Sequence, residues 1–441
     1  MFLYKTKFGM EVIDYVGKRF SKALHAIKYL IIAVGYLLMG IMVFLLAQVV
    51  YIYIKFPQIT DTIKAPPVMP LIPYFPQIFG VESLFPPFYF TYFILALIIV
   101  AFVHEFAHGI YMKLFNIRIK STGVAFLGPI LGAFVEQDEK QMNSKPAFQQ
   151  MVILGAGVFA NILFALIFFI LLVGFFSLSF VPAGYVFNSY AVSEIPIQDI
   201  SGFGNMENLS VILNGQDLGN LSLTKIMVNE KNYFMVSELR DKIESGVLGA
   251  ESYALVFEDA PAINAGLRGV IKQIDDVKIA DQESLRVFLE NKNPGDKVLI
   301  KSLVENEEKD YELILQEHPF RKGVAYLGVA SLDSEGNSLF RKIILKFISF
   351  KEPSTYYEPK YDGGVVYFIY NLFWWIVIIN LFVALFNMLP LGILDGGRFF
   401  YLTVIGITKS EKIAKKAFRF VTWLILLLFI VMIVSWVVAL V

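Results

Sequence analysis

The chain has 441 residues, 56% of them hydrophobic and 17% charged. This excludes an ordinary soluble globular protein, because several apolar runs exceed the ~18–20 residues that cross ~30 Å of hydrocarbon. Lysine plus arginine and aspartate plus glutamate both total 38, so bulk charge gives no sign of a nucleic-acid partner. Without cysteine there is no disulfide framework and no thiolate site, and any metal must be held by histidine and carboxylate.

In chain order, residues 1–28 form a basic segment carrying Lys5, Lys7, Lys18, Arg19, Lys22 and Lys28 against Glu11 and Asp14. A polar stretch of that length before the first apolar run does not read as a cleavable signal peptide. A first span is expected over 29–54, followed by a proline-rich connection over 55–89 that cannot form a regular helix. The second span, from residue 90 to about 115, holds His104-Glu105-Phe106-Ala107-His108 and carries no charge before Glu105. The loop 113–145 is basic and encloses an apolar, glycine-rich piece, GVAFLGPILGAF. That piece is too short to span and predicts a membrane-associated β-hairpin or re-entrant loop.

A third span covers 151–176, closing a membrane segment taken as 90–180. Residues 183–320 turn polar, with strand-like alternation and turn signals such as Asn293-Pro294-Gly295-Asp296, and read as an inserted soluble α/β domain. Residues 337–350 mix apolar residues with Arg341, Lys342 and Lys346, as expected of an interfacial helix. The last membrane part, 365–441, contains a span over 365–389 and another over 420–441. Between them 391–408 is apolar but short and includes Asp395 and Arg398, which leaves five or six spans. The positive-inside rule favours five. It puts the N-terminus, the 113–145 loop and the cluster Lys409, Lys412, Lys415, Lys416 and Arg419 in the cytoplasm, and residues 183–320 outside it.

His-Glu-x-x-His on a helix sets two imidazoles on one face for a metal ion, with the glutamate beside them as general base. The ordinary reading is a chance pentapeptide or a structural pair. In a membrane helix that reading loses ground, since each ionisable side chain there costs on the order of 2.5–3.5 kcal/mol unless partnered. Catalytic zinc usually has three protein ligands. The other histidines, His25 and His318, lie in the basic segment and the soluble domain, so a carboxylate is needed. Asp395 is the carboxylate at membrane depth away from Glu105, with Glu136 as the fallback. Alone, an aspartate before Gly396-Gly397 reads as a turn or helix cap.

The span motif together with Asn387-Met388-Leu389-Pro390-Leu391-Gly392-Ile393-Leu394-Asp395-Gly396 resembles the site-2 protease family of intramembrane zinc metalloproteases. The family pattern A-G-P-x-x-N is met by Ala156-Gly157-Val158-Phe159-Ala160-Asn161, with valine in place of proline. Residues 260–267 (APAINAGL) and 294–298 (PGDKV) resemble landmarks of a PDZ domain, whose core is expected over about 250–318; the Gly-Asp that usually follows is replaced by Arg268-Gly269. The resemblance implies His104, His108 and Asp395 as zinc ligands and Glu105 as the general base. It also implies Asn161 and Asn387 as groups that stabilise an oxyanion or hold the substrate, where the ordinary reading is interhelical hydrogen bonding. The implied substrate is a single-span membrane protein already trimmed outside the bilayer, cleaved after local unwinding and pairing with the 123–135 hairpin. The expected protein is thus polytopic and α-helical, with an inserted PDZ-like domain, Zn2+ as cofactor and the lipid bilayer as its surroundings. A metal transporter and an inactive membrane scaffold are the rival classes.

Overall fold

The computed structural model describes residues 2–6, 8–56, 89–127, 130–213, 216–249, 251–331 and 349–440. The proline-rich connection and the expected interfacial helix fall almost wholly outside the described residues. The chain divides into two compact units, Met1–Phe176 with Gly364–Val441, and Ser177–Gly363.

The first unit opens with a strand, β1 (Phe2–Thr6), a short amphipathic helix, α1 (Phe8–Arg19), and the long helix α2 (Ser21–Lys55). The basic segment is therefore structured, and α2 starts eight residues before the apolar run expected at 29. Helix α3 (Tyr89–Leu114) carries the His-Glu-x-x-His motif. It ends where Asn116 adopts a left-handed backbone, φ 54°, which asparagine tolerates better than most residues. Strands β2 (Ile119–Leu127) and β3 (Ile130–Gln137) form the expected hairpin. β1 adds to the outer side of β2, a pairing not foreseen, and leaves β3 as the sheet's other edge.

Helix α4 (Glu139–Ser144) is capped by Asp138, whose carboxylate accepts from the Gln141 amide at 3.1 Å. Helix α5 (Ala147–Ser179) follows directly after Pro146.

Among the described residues, the second unit is built of two larger antiparallel sheets and two two-stranded ones. Its strands are β4 (Phe180–Val186), β5 (Ser189–Tyr190), β6 (Val192–Pro196), β7 (Ile200–Leu213), β8 (Gln216–Val228) and β9 (Lys231–Val236). After α6 (Ser237–Glu244) come β10 (Tyr253–Glu258), the short α7 (Pro261–Asn264), β11 (Val270–Ile274), β12 (Val277–Lys278) and α8 (Gln282–Glu290). β13 (Lys297–Val304), β14 (Glu307–Ile314), β15 (Gln316–His318), β16 (Arg321–Tyr326), β17 (Val329–Ala330) and β18 (Thr355–Pro359) complete it. One sheet runs β14-β13-β11-β4-β18. The other, β6-β10-β9-β8-β7, accounts for most of the stretch 183–249, before the expected PDZ-like core. The two-stranded sheets are β15-β16 and β17-β5. Leu223, Phe234, Ile271, Leu285 and Ile300 sit in one buried core of this unit.

The chain then returns to the first unit as α9 (Gly363–Asn387), α10 (Asp395–Thr408) and α11 (Glu411–Leu440). Pro390 cannot donate to a helical carbonyl, and its ring would clash with the carbonyl of Phe386, so α9 stops at Asn387. The seven residues after it are held by short turn bonds, Leu394 N to Leu391 O (3.0 Å) among them. At 14 residues, α10 covers ~21 Å, less than the ~30 Å of hydrocarbon. Among the described residues five helices, α2, α3, α5, α9 and α11, are long and apolar enough to cross a membrane.

One ionic contact organises the 270–299 region. Asp275, at φ 50° in the turn after β11, accepts the Leu299 amide at 3.0 Å and the Lys292 ammonium at 2.9 Å. The Leu299 N–H first, and then Lys292, hold its carboxyl below the usual carboxylate range. A depressed folded-state pKa means the stabilisation is fully present above the unfolded value of ~3.9 and is lost as pH falls through the folded-state value. Asparagine suits the left-handed turn, so Asp275→Asn removes charge with little backbone strain. With the carboxylate about a third exposed, hydrogen exchange of the Leu299 amide in the intact protein should report a local loss of about 1 kcal/mol at pH 7. That difference should shrink as pH falls below ~4; an equal difference at pH 7 and pH 3 contradicts the assignment.

Candidate metal centre

Three ligand atoms converge in the core of the first unit. His104 Nε2 lies 3.0 Å from His108 Nε2 and 3.1 Å from Asp395 Oδ2, and His108 Nε2 lies 3.3 Å from the same oxygen. Tetrahedral zinc with bonds of ~2.0–2.1 Å sets its ligand atoms ~3.3–3.4 Å apart. An ion therefore fits with an expansion of a few tenths of an ångström. Among the described residues this is the single group of three histidine or carboxylate side chains meeting closely enough to hold one. Both histidines are buried, 7% and 6% exposed. Their ring edges meet in an apolar core that includes Tyr111, Met112, Ile153, Leu385 and Met388.

Each ring is held from behind. His108 Nδ1 lies 2.7 Å from the Ile153 carbonyl, to which it donates, fixing the tautomer with Nε2 free to ligate. His104 Nδ1 lies 3.1 Å from the Asn161 amide. When Nε2 ligates, Nδ1 carries the proton and the amide must present its oxygen, and Asn161 Oδ1 is a buried atom that otherwise lacks a partner. Asn161 is fully buried. It thus lies behind the ring, where it can orient His104.

Helix α5 forms this back wall through one stripe: Gln150, Ile153, Gly157 and Asn161 are spaced three or four residues apart and share a face. Gly157 makes the close approach possible, since a Cβ there would lie 2.6 Å from His108 Nε2 and 2.7 Å from His104 Cε1. Asp395 enters from α10 as its first residue, where a carboxylate also complements the helix dipole. Gly396 and Gly397 let that turn pack tightly, because added Cβ atoms would lie 2.3 Å from the Met388 carbonyl and 2.0 Å from that of Leu391.

Glu105 accepts the backbone N–H of Val135 on β3 at 3.1 Å. Asn387 directs its amide nitrogen to 3.3 Å from His104 Nε2. Glu105, Val135, Asn387 and the three ligand residues line a common cavity of ≈ 360 Å³. Glu136, the fallback ligand, lies elsewhere: its carboxylate takes Ser121 Oγ at 2.6 Å and Lys5 Nζ at 3.1 Å. His25 and His318 are likewise not in the cluster. Sequence reasoning passed over Gln150, Ile153 and Val135, and gave Gly157 no role beyond its place in the A-G-P-x-x-N pattern. Ile153 and Val135 act through main-chain atoms that no side-chain pattern reveals, whereas Gln150, a polar residue at the start of an apolar helix, was a usable signal.

The sequence pattern of peptidase family M50 matches residues 92–432. The chain belongs to peptidase family M50. It is thus an intramembrane zinc metalloprotease of the site-2 type and an integral membrane protein. The Fusobacterium nucleatum protein named "Putative zinc metalloprotease FN1322" is 25% identical over 358 residues, 76% of this chain and 88% of that one. An uncharacterized Methanocaldococcus jannaschii protein, MJ0971, is 42% identical over 71 residues, 16% of this chain and 19% of its own. The M50 match begins inside α3, so β1, α1 and α2 lie outside it.

Adding one methyl group at Gly157 should raise the helix propensity of α5 by ~0.8–1.0 kcal/mol yet drive both rings off the centre. Gly157→Ala is therefore expected to fold and to bind well under one zinc per chain by elemental analysis. Full zinc occupancy in that variant contradicts the packing described.

Proposed function

We propose that this M50 peptidase performs regulated intramembrane proteolysis on a single-span membrane protein already trimmed outside the bilayer, with His104, His108 and Asp395 holding the zinc. The convergence of those three ligand atoms with Glu105 in one cavity is the observation that carries the reading. Bound zinc supplies Lewis-acid polarisation of the scissile carbonyl and lowers the pKa of water toward ~7.

The chain's own residues supply the rest. Glu105 serves as general base toward the attacking water and returns the proton to the leaving amine. Asn387 donates its amide N–H to the developing oxyanion, and Asn161 and the Ile153 carbonyl keep the two rings in the ligating orientation. A transmembrane helix hides its carbonyls in hydrogen bonds, so the substrate must unwind. β3 is an edge strand lying at the cavity, which supports docking of the unwound segment as an added strand. The Val135 N–H, now given to Glu105, is one of the groups such a strand would meet.

The proposed topology has five spans, the N-terminus and the basic stretches 113–145 and 409–419 in the cytoplasm, and the second unit outside it. The order α7, β11, α8, β13 supports a PDZ-like core in that unit. A cleft of ≈ 650 Å³ lined by Leu285, Arg286, Leu289, Ala325 and Leu327 runs between α8 and β16, and among the described residues β16 pairs with a strand on one side only. In the proposed reading this cleft takes the extracytoplasmic end of the trimmed substrate.

The test uses purified full-length protein and a single-span model substrate. Wild type is expected to cleave within the span, and Glu105→Gln to retain zinc but lose activity at least 10³-fold. Asn387→Ala is expected to retain zinc and to lower kcat about 10²-fold with KM little changed. Identical products from wild type and Glu105→Gln contradict the assignment of Glu105, and zinc flux through vesicles without cleavage would favour transport.

A further inference from the structure

We propose that Arg398 is a positioning residue of the metal centre, tying the start of α10, and with it Asp395, to the part of α5 that orients His108. The inference rests on the reading of His104, His108 and Asp395 as ligands.

Arg398 Nη2 donates to Gln150 Oε1 at 2.9 Å and to Asn143 Oδ1 at 2.6 Å. Gln150 is 6% exposed and its amide is fully engaged. Its nitrogen donates to the Lys145 carbonyl at 2.7 Å and, more weakly, to that of Asn143 at 3.4 Å. The acceptor that meets Arg398 is therefore held in place before the guanidinium arrives. The contact with Glu139, at 3.8 Å and largely exposed, adds little.

The spacing gives the contact its consequence. Asp395 and Arg398 are three residues apart on α10, and Gln150 and Ile153 three apart on α5, so each pair shares a helix face. Ile153 fixes the ring of His108. One turn of α5 thus holds a metal-ligating side chain of α3 through its main chain and the ligand-bearing turn of α10 through Gln150. Asp395 needs such a hold because the chain before it, 388–394, is a turn following a broken helix and not a continuous rod. A ligand displaced by about 1 Å is enough to spoil a catalytic centre. Arginine suits the task because one guanidinium nitrogen carries two N–H donors, one for the held Gln150 oxygen and one for Asn143.

The experiment compares wild type, Arg398→Ala, Arg398→Lys, Gln150→Ala and the Gln150→Ala/Arg398→Ala pair, all full-length and in detergent. Measured are kcat and KM on the single-span substrate, the rate of zinc release to a chromophoric chelator, and the visible spectrum after cobalt substitution. Exchange of the Gly397 amide is also followed in zinc-stripped protein. Arg398→Ala is expected to lower kcat about tenfold with KM within about twofold, and to speed zinc release about tenfold. It should also weaken the cobalt bands and speed Gly397 exchange. Arg398→Lys should lie between it and wild type. Gln150→Ala should match Arg398→Ala, and the pair should be no worse than either alone. Unchanged zinc release, cobalt spectrum and kcat in Arg398→Ala, or additive effects in the pair, overturn the proposal. Should Arg398→Ala fail to fold, Arg398→Lys and Gln150→Ala give the same decision. His108→Ala separates the two levels: full zinc in that variant defeats the ligand reading itself, whereas zinc lost there but unaffected at Arg398 defeats only the positioning role.

Discussion

Two imidazoles and a carboxylate lying side by side in an apolar core constrain everything around them. Left without a counterpart, such groups are expensive to keep out of water, and a divalent ion is the partner that satisfies all three at once. For that to work, atoms from α3 and α10, nearly three hundred residues apart in the chain, must meet within 3.1–3.3 Å. The break after α9 follows from this demand. A continuous helix would carry Asp395 past the histidines, while a stop before Pro390 followed by a glycine-lined turn brings it back to them.

Helix α5 supplies the rigidity. Its stripe from Gln150 to Asn161 orients both rings, leaves room at Gly157 for them to approach, and reaches Arg398 on the ligand-bearing helix. None of the three converging ligand atoms comes from that stripe. The wall matters because it fixes directions: each ring is held at Nδ1, which leaves Nε2 pointing inward. The front of the cavity has a different character, lined by the β3 edge at Val135 and by Asn387.

Much of this was legible in the sequence, for identifiable reasons. A long apolar run has few fates, so spans could be read from length, and a His-Glu-x-x-His motif inside one stands out because polarity there is costly. Asp395 was found by asking which carboxylate shares that depth. Asn161 was picked out as important, but its side of the ring depends on helix rotation, which a one-dimensional pattern does not encode. β1 was missed because five residues of mixed polarity carry no periodic signal, and its pairing with β2 spans more than a hundred residues. The long β7–β8 hairpin was missed because β7 is largely exposed and lacks the alternation that marks a half-buried sheet, although β8 buries Leu223, Ile226 and Val228. For β1 the deciding contacts are non-local backbone bonds.

The central claim is that a zinc site is completed by Asp395 and not by Glu136, the carboxylate nearer in sequence to the histidines. The most direct measurement is the zinc content of purified full-length protein carrying Asp395→Ala or Glu136→Ala, after equal exposure to a mild chelator. The account predicts that wild type and Glu136→Ala keep about one zinc per chain and that Asp395→Ala loses it. Zinc kept in Asp395→Ala, or lost in Glu136→Ala, contradicts it.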